Sequence, residues 1–399
     1  MSDINIEFAG LEMQSPFLLA SGPEGISIGR IRDKASKIAE NRWGAVVTKT
    51  MVSYSHPPVR PYLWTTKRLR RLGMQNLGPA MVVYSEDKVA ELKEDIAEAH
   101  KVGLKIIVSL IGSTLSDYEE KARRMEEIEA DAIELNLSCP GRFKALTEES
   151  LGGMRIGQSP EATREVVEAV KRTCDIPVIP KLTAHAYDIA HVASACQEAG
   201  ADAISIINTI RGIIGVDIDS GIPVPSDIYG NAHISGISGP LIRPFGLMNV
   251  ALVALNTDLS ISGIGGVEDH SSAIEFFLLG ASTVQVCTAA MWKGLVLGRQ
   301  MAVGLTEYME DKGYSSVKDF VGKSLGYIRT EPEGSPPIKA VIDYELCTDC
   351  GRCYIACNDM AYEAIQKVDK RYRVDEAACG GCGLCYVVCP FDAVTYREK

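Results

Sequence analysis

Eight cysteines crowd between positions 347 and 389, and their spacing constrains this chain more than any other feature. Cys347, Cys350, Cys353 and Cys357 follow C-x2-C-x2-C-x3-C. Cys379, Cys382, Cys385 and Cys389 repeat it, with Pro390 directly behind. Thiols this close in sequence need a shared inorganic partner. Two structural zinc sites are one reading, but zinc usually takes two C-x2-C knuckles separated by a longer loop. Two such compact runs fit a pair of [4Fe–4S] cubanes far better, and cubanes pass single electrons.

The repeat resembles the bacterial two-cluster ferredoxins. That resemblance implies that the fourth cysteine of each run ligates the other cluster. One set is then Cys347, Cys350, Cys353 and Cys389; the other is Cys379, Cys382, Cys385 and Cys357. The first run departs mildly, ending in Asn358 where the family has proline.

The remaining cysteines are Cys139, Cys174, Cys196 and Cys287, spread over the preceding 340 residues. A secreted disulfide protein would not divide its cysteines this way, whereas a cytoplasmic cluster protein would. With 52 acidic and 41 basic residues the net charge is −11, which argues against nucleic acid as a partner. The start, "MSDINIEFAG", has no basic segment followed by an apolar run, so no signal peptide is expected. No apolar stretch reaches about 18 residues, so no membrane span is expected.

Ahead of the cysteines, short β-rich runs alternate with amphipathic helical stretches. The runs are FLLAS (17–21), AVVTKT (45–50), IIVSLIG (106–112), AIELNLS (132–138), VIPKLT (178–183), AISIINT (203–209), LSISGIGG (259–266) and TVQVCTA (283–289). Eight β/α units over this length predict a (β/α)8 TIM barrel, with a doubly wound open sheet as the alternative. The pattern INIEFAGLEM predicts an N-terminal hairpin capping the barrel floor. A Pro-, Glu- and Gly-rich stretch, 329–339, marks a linker. The expected division is a barrel over 1–328, the linker, and a two-cluster ferredoxin-like domain over 340–399.

Barrel active sites lie at the carboxyl ends of the strands. There the sequence puts Ser21, Lys49, Thr50, Asn136 to Cys139, Lys181, Asn208, Thr209, Gly265, Gly266, Cys287 and Thr288. A lysine buried without a partner is costly, so two lysines at these ends imply a ligand. The last two strand ends could hold a phosphate on backbone N–H groups. Lys181 would supply a cation at mid-barrel, and both features suit a flavin.

ELNLSCP, KLT, INT, SGISGPLIRP, GIGG and VQVCTA together resemble the class 1 dihydroorotate dehydrogenase barrel. Barrel followed by ferredoxin resembles more closely the FMN and iron–sulfur half of dihydropyrimidine dehydrogenase, over essentially the whole chain. The resemblance implies FMN held by Ala20, Ser21, Lys49, Thr50, Asn136, Lys181, Gly236, Ser238, Gly239, Gly265, Gly266, Cys287 and Thr288. It implies substrate held by Asn136, Ser138, Asn208 and Thr209, with Cys139 as the general acid or base. A lone strand cysteine is more often a small buried hydrophobe. At a barrel mouth, beside Asn136, Ser138 and Pro140, it can exchange a proton across a C=C bond conjugated to a carbonyl.

Two stretches depart from the family. TTKRLRRLGMQNLG puts Arg70, or nearly so, where related barrels have an asparagine facing the pyrimidine. Lys67, Arg68, Arg70 and Arg71 read either as a solvated basic loop or as a clamp for a carboxylate, phosphate or thioester-linked substrate. The loop after Cys139, GRFKALTEESLGGMRIGQ, differs from the pyrimidine reductases' lid. The six histidines show no ligand-like spacing.

No G-x-G-x-x-G dinucleotide unit is visible, so electrons should come from a separate FAD/NAD(P)H-binding subunit or a soluble ferredoxin. A homodimer or hetero-oligomer is expected, with no nucleic-acid or membrane partner. The expected activity is reduction of uracil, thymine or a related planar substrate. The alternatives are an anionic enone or enoyl-acid reductase, a dihydroorotate dehydrogenase, and a non-enzymatic FMN/iron–sulfur electron-transfer module.

Overall fold

The computed structural model describes residues 3–22, 26–53, 63–76, 82–138, 153–224, 231, 234–330, 334 and 336–398. The chain divides into two compact units, residues 1–328 and 329–399.

In the first unit eight parallel strands close on themselves. They are β1 (Phe17–Leu19), β2 (Ala45–Val47), β3 (Lys105–Leu110), β4 (Ala132–Asn136), β5 (Val178–Lys181), β6 (Ala203–Ile206), β7 (Ser260–Ile264) and β8 (Thr283–Val286). Each pairs with the next. β8 returns to β1 with Val284 opposite Phe17 and Val286 opposite Leu19. This is a TIM barrel, and the open-sheet alternative fails on that last pairing. The strands are buried on both faces, as parallel strands under a helical shell must be, so they read as continuous apolar runs.

The helices α1 (Ala35–Glu40), α2 (Glu86–His100), α3 (Leu115–Glu127), α4 (Pro160–Lys171), α5 (Ile189–Glu198), α6 (Arg243–Ala254) and α7 (His270–Leu278) lie between the strands. After β8 come α8 (Thr288–Lys293) and α9 (Val296–Lys312). Their starts are chemically marked. The Ser159 hydroxyl accepts from the Ala162 N–H ahead of Pro160, and Asp269 forms a capping box with Ser272. α4 turns Val166, Val167 and Val170 inward, all fully buried.

The N-terminal hairpin pairs Ile6–Phe8 with Leu11–Met13. A side chain at Gly44, one residue before β2, would press on the Met13 Cβ and the Ser15 carbonyl. The hairpin therefore lies under the amino ends of the strands, the floor.

At the opposite end the chain does something the sequence pattern does not announce. Between β2 and α2, and again between β6 and α6, it runs out into short strands instead of entering a helix directly. Ile210–Gly212, Ser235–Ser238, Met74–Asn76 and Leu63–Trp64 join, in that order, into one antiparallel sheet. These strands follow the carboxyl ends of β6 and β2, so the sheet stands at the barrel mouth.

The second unit pairs Ile338–Ile342 with Val394–Glu398, and Ile365–Val368 with Arg371–Val374. α10 (Arg352–Met360) carries Cys353 and Cys357 of the first run, and α11 (Leu384–Val387) carries Cys385 of the second. The strand beginning at Ile338 takes the last two residues of the expected linker. Ala340, Ile342, Ile365, Tyr372 and Val394 form its small core together with Cys353, Cys357 and Cys385.

Phe277 on α7 ties the barrel closure together. Its ring lies 6.4 Å from Phe17 of β1 and 6.1 Å from Phe320 beyond α9, and it is fully buried. Phe277→Ala should cost the barrel about 3–5 kcal/mol, seen as a lower urea midpoint at unchanged slope.

Candidate active site

The polar groups at the strand ends form two connected sets. The first runs around the mouth. Thr50 and Ser109 hydroxyls meet at 2.9 Å, and Asn136 Nδ2 donates to Thr50 Oγ1 at 3.0 Å. The Ser138 hydroxyl donates to Asn136 Oδ1 at 3.0 Å, and Asn208 Nδ2 donates to Ser138 Oγ at 3.0 Å. The Thr209 N–H then donates to Asn208 Oδ1 at 2.8 Å. Residues in or just past the ends of β2, β3, β4 and β6 thus hold one another's amides and hydroxyls in fixed orientations. Asn136, Ser138, Asn208 and Thr209, four of the five substrate positions, are brought together.

The second set lies inside the barrel. Lys181 Nζ is 3.2 Å from Glu134 Oε1 and donates to Gln285 Oε1 at 3.4 Å. Gln285 Nε2 donates to Glu134 Oε2 at 2.8 Å and to Ser205 Oγ at 3.0 Å. Glu134 has no exposed surface and Lys181 only 4%. The buried lysine is therefore not bare. Sequence reasoning found Lys181 and missed its partner, although Glu134 stands two residues before Asn136 and so on the same strand face. A carboxylate in an apolar strand was the available signal.

Lys49 Nζ donates to the Gly22 carbonyl at 3.0 Å, and Ala20 is fixed by donating its N–H to the Val286 carbonyl. Ser21 is half-buried beside them. A Cβ at Gly22 would land 2.0 Å from Cys287 Sγ, so this thiol fills the gap between the first and last strand ends. Burial pushes the Cys287 thiol up, against the pull of Lys49 and Lys181, which keeps it protonated and unreactive.

A third group gathers where a phosphate would sit. Thr288 Oγ1 donates to Ser238 Oγ at 2.9 Å. Gly239 and Gly266 hold φ of +95° and +76°, which side chains resist. A Cβ on Gly266 would meet Arg243 Cβ at 2.7 Å, and one on Gly239 would meet Gly73 Cα at 2.9 Å. One on Gly236 would strike Thr209 Oγ1 at 2.1 Å, and Gly265 lies against Ile207. The backbone here is kept bare by geometry, as a phosphate cradle requires. Bare backbone at one end, buried lysines and oriented amides at the other, fit FMN.

Lys67, Arg68, Arg70 and Arg71 are on the turn between Leu63–Trp64 and Met74–Asn76, and all four are exposed. Leu72 accepts from the Leu241 N–H at 2.6 Å, and Gly73 abuts Gly239. The basic turn therefore adjoins the glycine cradle at Gly239. His185 plays a structural part. Its Nε2 accepts from the Arg211 N–H at 3.0 Å, which pins a strand of that sheet. Burial, and then the Arg211 charge, hold its imidazole below the ordinary range. Fully buried Gln75, also missed, bridges the Gly212 carbonyl and the Ile214 N–H. Cys139 and the loop to residue 152 lie outside the described residues.

In the second unit two pockets open among the cysteines. Cys347, Cys350, Cys353 and Cys389 line one; Cys357, Cys379, Cys382 and Cys385 line the other. Thiols ringing a void suit a cubane. Burial pushes Cys353 up to about 11, so its proton must leave when a metal–sulfur bond forms.

The family model for dihydroorotate dehydrogenase matches residues 3–309, and that for a 4Fe-4S dicluster domain matches 340–396. The chain is 34% identical to the NAD-dependent dihydropyrimidine dehydrogenase subunit PreA of Escherichia coli K12, covering 92% of this chain and 88% of that one. It is 35% identical to the dihydroorotate dehydrogenase B (NAD(+)) catalytic subunit of Pyrococcus abyssi, covering 81% of this chain and 99% of that one. The corresponding subunit of Thermococcus kodakarensis is 34% identical, over 82% of this chain and 99% of that one.

Each cofactor can be removed singly. Gly266→Ala should yield protein that retains its iron but has lost most of its FMN, read as the flavin-to-protein ratio. Cys389→Ser should lower iron from about eight to about four atoms per chain while the flavin stays bound. By the closed barrel, the order of its motifs and its sequence likeness, the chain belongs to the dihydroorotate dehydrogenase family, flavin enzymes acting on CH–CH bonds, here with FMN and two [4Fe–4S] clusters.

Proposed function

We propose that this chain is the catalytic subunit of a dihydropyrimidine dehydrogenase-type enzyme, reducing the C=C bond of uracil, thymine or a close planar relative. The observation that carries the reading is the linked set Thr50, Asn136, Ser138, Asn208 and Thr209. Alternating amide and hydroxyl groups on one rim match a ring that alternates C=O and N–H. Such a rim also rejects analogues that leave its buried polar groups unpaired.

FMN, when bound, supplies hydride transfer to one ring carbon and accepts electrons singly from the clusters. The chain's own groups do the rest. Ala20, Ser21, Lys49, Thr50, Lys181 and the glycine cradle with Ser238 and Thr288 hold the cofactor. Asn136, Ser138, Asn208 and Thr209 orient the substrate. Cys139 delivers a proton to the neighbouring carbon from the opposite face and is reprotonated from solvent. Two electrons and two protons then account for the saturated product. The crossed cysteine sets hold the clusters.

The relatives are named as subunits of NAD-dependent enzymes, which supports a separate NAD(P)H-handling, FAD-binding partner over a soluble ferredoxin. The assembly is a homodimer or a hetero-oligomer with that partner. Among the described residues no helix is long and apolar enough to cross a membrane. The described cysteines are all free, which supports a reducing, cytoplasmic setting. Dihydroorotate is the second reading, favoured by the dehydrogenase B relatives.

The test is anaerobic reduction followed by addition of uracil, thymine, orotate or an enoate, with flavin reoxidation followed near about 450 nm. Reoxidation by orotate or the enoate alone would overturn the substrate assignment. Cys139→Ala should abolish turnover with FMN and iron retained, whereas a pure electron carrier would be indifferent to it. Asn208→Ala should lower kcat/KM by roughly 10- to 100-fold, from an unpaired buried hydrogen bond of about 1.5–3 kcal/mol.

A further inference from the structure

A buried carboxylate under the active-site lysine has no part in the mechanism above. Glu134 points both oxygens at partners within the barrel, Lys181 Nζ at 3.2 Å and Gln285 Nε2 at 2.8 Å. Gln285 closes the triangle by accepting from Lys181 at 3.4 Å, and is itself anchored on Ser205. In the β4–β5 register Asn136 stands opposite Lys181, so Glu134 sits two residues deeper than the mouth. None of the three side chains is exposed beyond a few per cent.

Stability does not explain this arrangement. A buried ion pair gains little over apolar residues of the same size, and its desolvation is costly. The strands around it are otherwise rich in Ile, Leu and Val. What the pair does change is the field at the mouth. Water cannot screen charges there, so a lone Lys181 would act at nearly full strength on whatever lies above it. With Glu134 beneath, much of that charge is offset. A full cation beside the flavin favours its anionic reduced form and makes that form a poor donor. An offset cation still positions the ring but leaves the reduced cofactor able to reduce an alkene.

We propose that Glu134 is a positioning residue that fixes Lys181 and holds down the midpoint potential of the flavin by offsetting the lysine charge. This rests on the reading above that Lys181 lies at the FMN ring. Gln285 is its orienting partner.

The experiment uses the full chain loaded with FMN and iron, comparing wild type, Glu134→Gln and Glu134→Asp. Flavin and iron contents are measured first, then the flavin midpoint potential by anaerobic spectroelectrochemistry, then the Kd for sulfite. Sulfite adds more tightly to flavins with a cation near the ring. Glu134→Gln should raise the potential and tighten sulfite binding several-fold. Glu134→Asp, which keeps the charge but withdraws it by a methylene, should fall between. Should Glu134→Gln fail to fold, the aspartate variant carries the same test with a smaller upward shift. A potential and sulfite Kd equal to wild type, or a lowered potential, at full FMN content would overturn the proposal and leave the flavin site standing. Wild-type protein that takes up no FMN would instead overturn the reading beneath it.

Discussion

The pairing of β8 back onto β1 is the constraint on which the site depends. Val284 opposite Phe17 and Val286 opposite Leu19 turn an open run of strands into a ring. Only a closed ring brings Ala20 and Lys49 within reach of Cys287, and sets Gln285 across the interior from Glu134. Backbone hydrogen bonds do this, but apolar packing makes it worthwhile. Phe277 and Phe320 cover the seam with rings that reach Phe17 through α7 and the segment beyond α9. The polar groups then need little freedom of their own, because each is carried on a strand whose register is already set.

How much of this the sequence discloses differs by the physics behind each feature. The cysteine runs are legible because thiolate ligation demands fixed spacing, and the two voids are ringed by the very sets that the ferredoxin resemblance implies. The barrel strands are legible because burial on both faces leaves continuous β-branched runs. The mouth sheet is not. Its strands are two to four residues long, too short for any period to show, and its central pairing joins insertions more than a hundred residues apart. Lys181 stands out as a charge, whereas Glu134 hides inside a run read as apolar, and its meaning appears only when β5 and β8 are placed around it. Arg70 is legible only by linear nearness to a family motif, and the fold leaves it exposed on the turn ahead of Gly73, which abuts Gly239.

The two units also solve stability differently. The barrel buries a large continuous core. The second unit has a handful of apolar residues, and three of its ligand cysteines lie within that core. Small domains of this kind need covalent or metal staples to persist. Its buried thiols, with protons held tightly by desolvation, make folding and cluster acquisition parts of one process.

The sheet over the barrel mouth is shared between two insertions. Ser235–Ser238 comes from the excursion after β6, and Met74–Asn76, its neighbour, from the excursion after β2. Gln75 fastens them together by gripping Gly212 and Ile214. Neither excursion can drift in sequence without altering the other's footing. Anyone grafting a relative's selectivity onto this scaffold would have to transplant both arms at once, since either alone arrives without its counterpart.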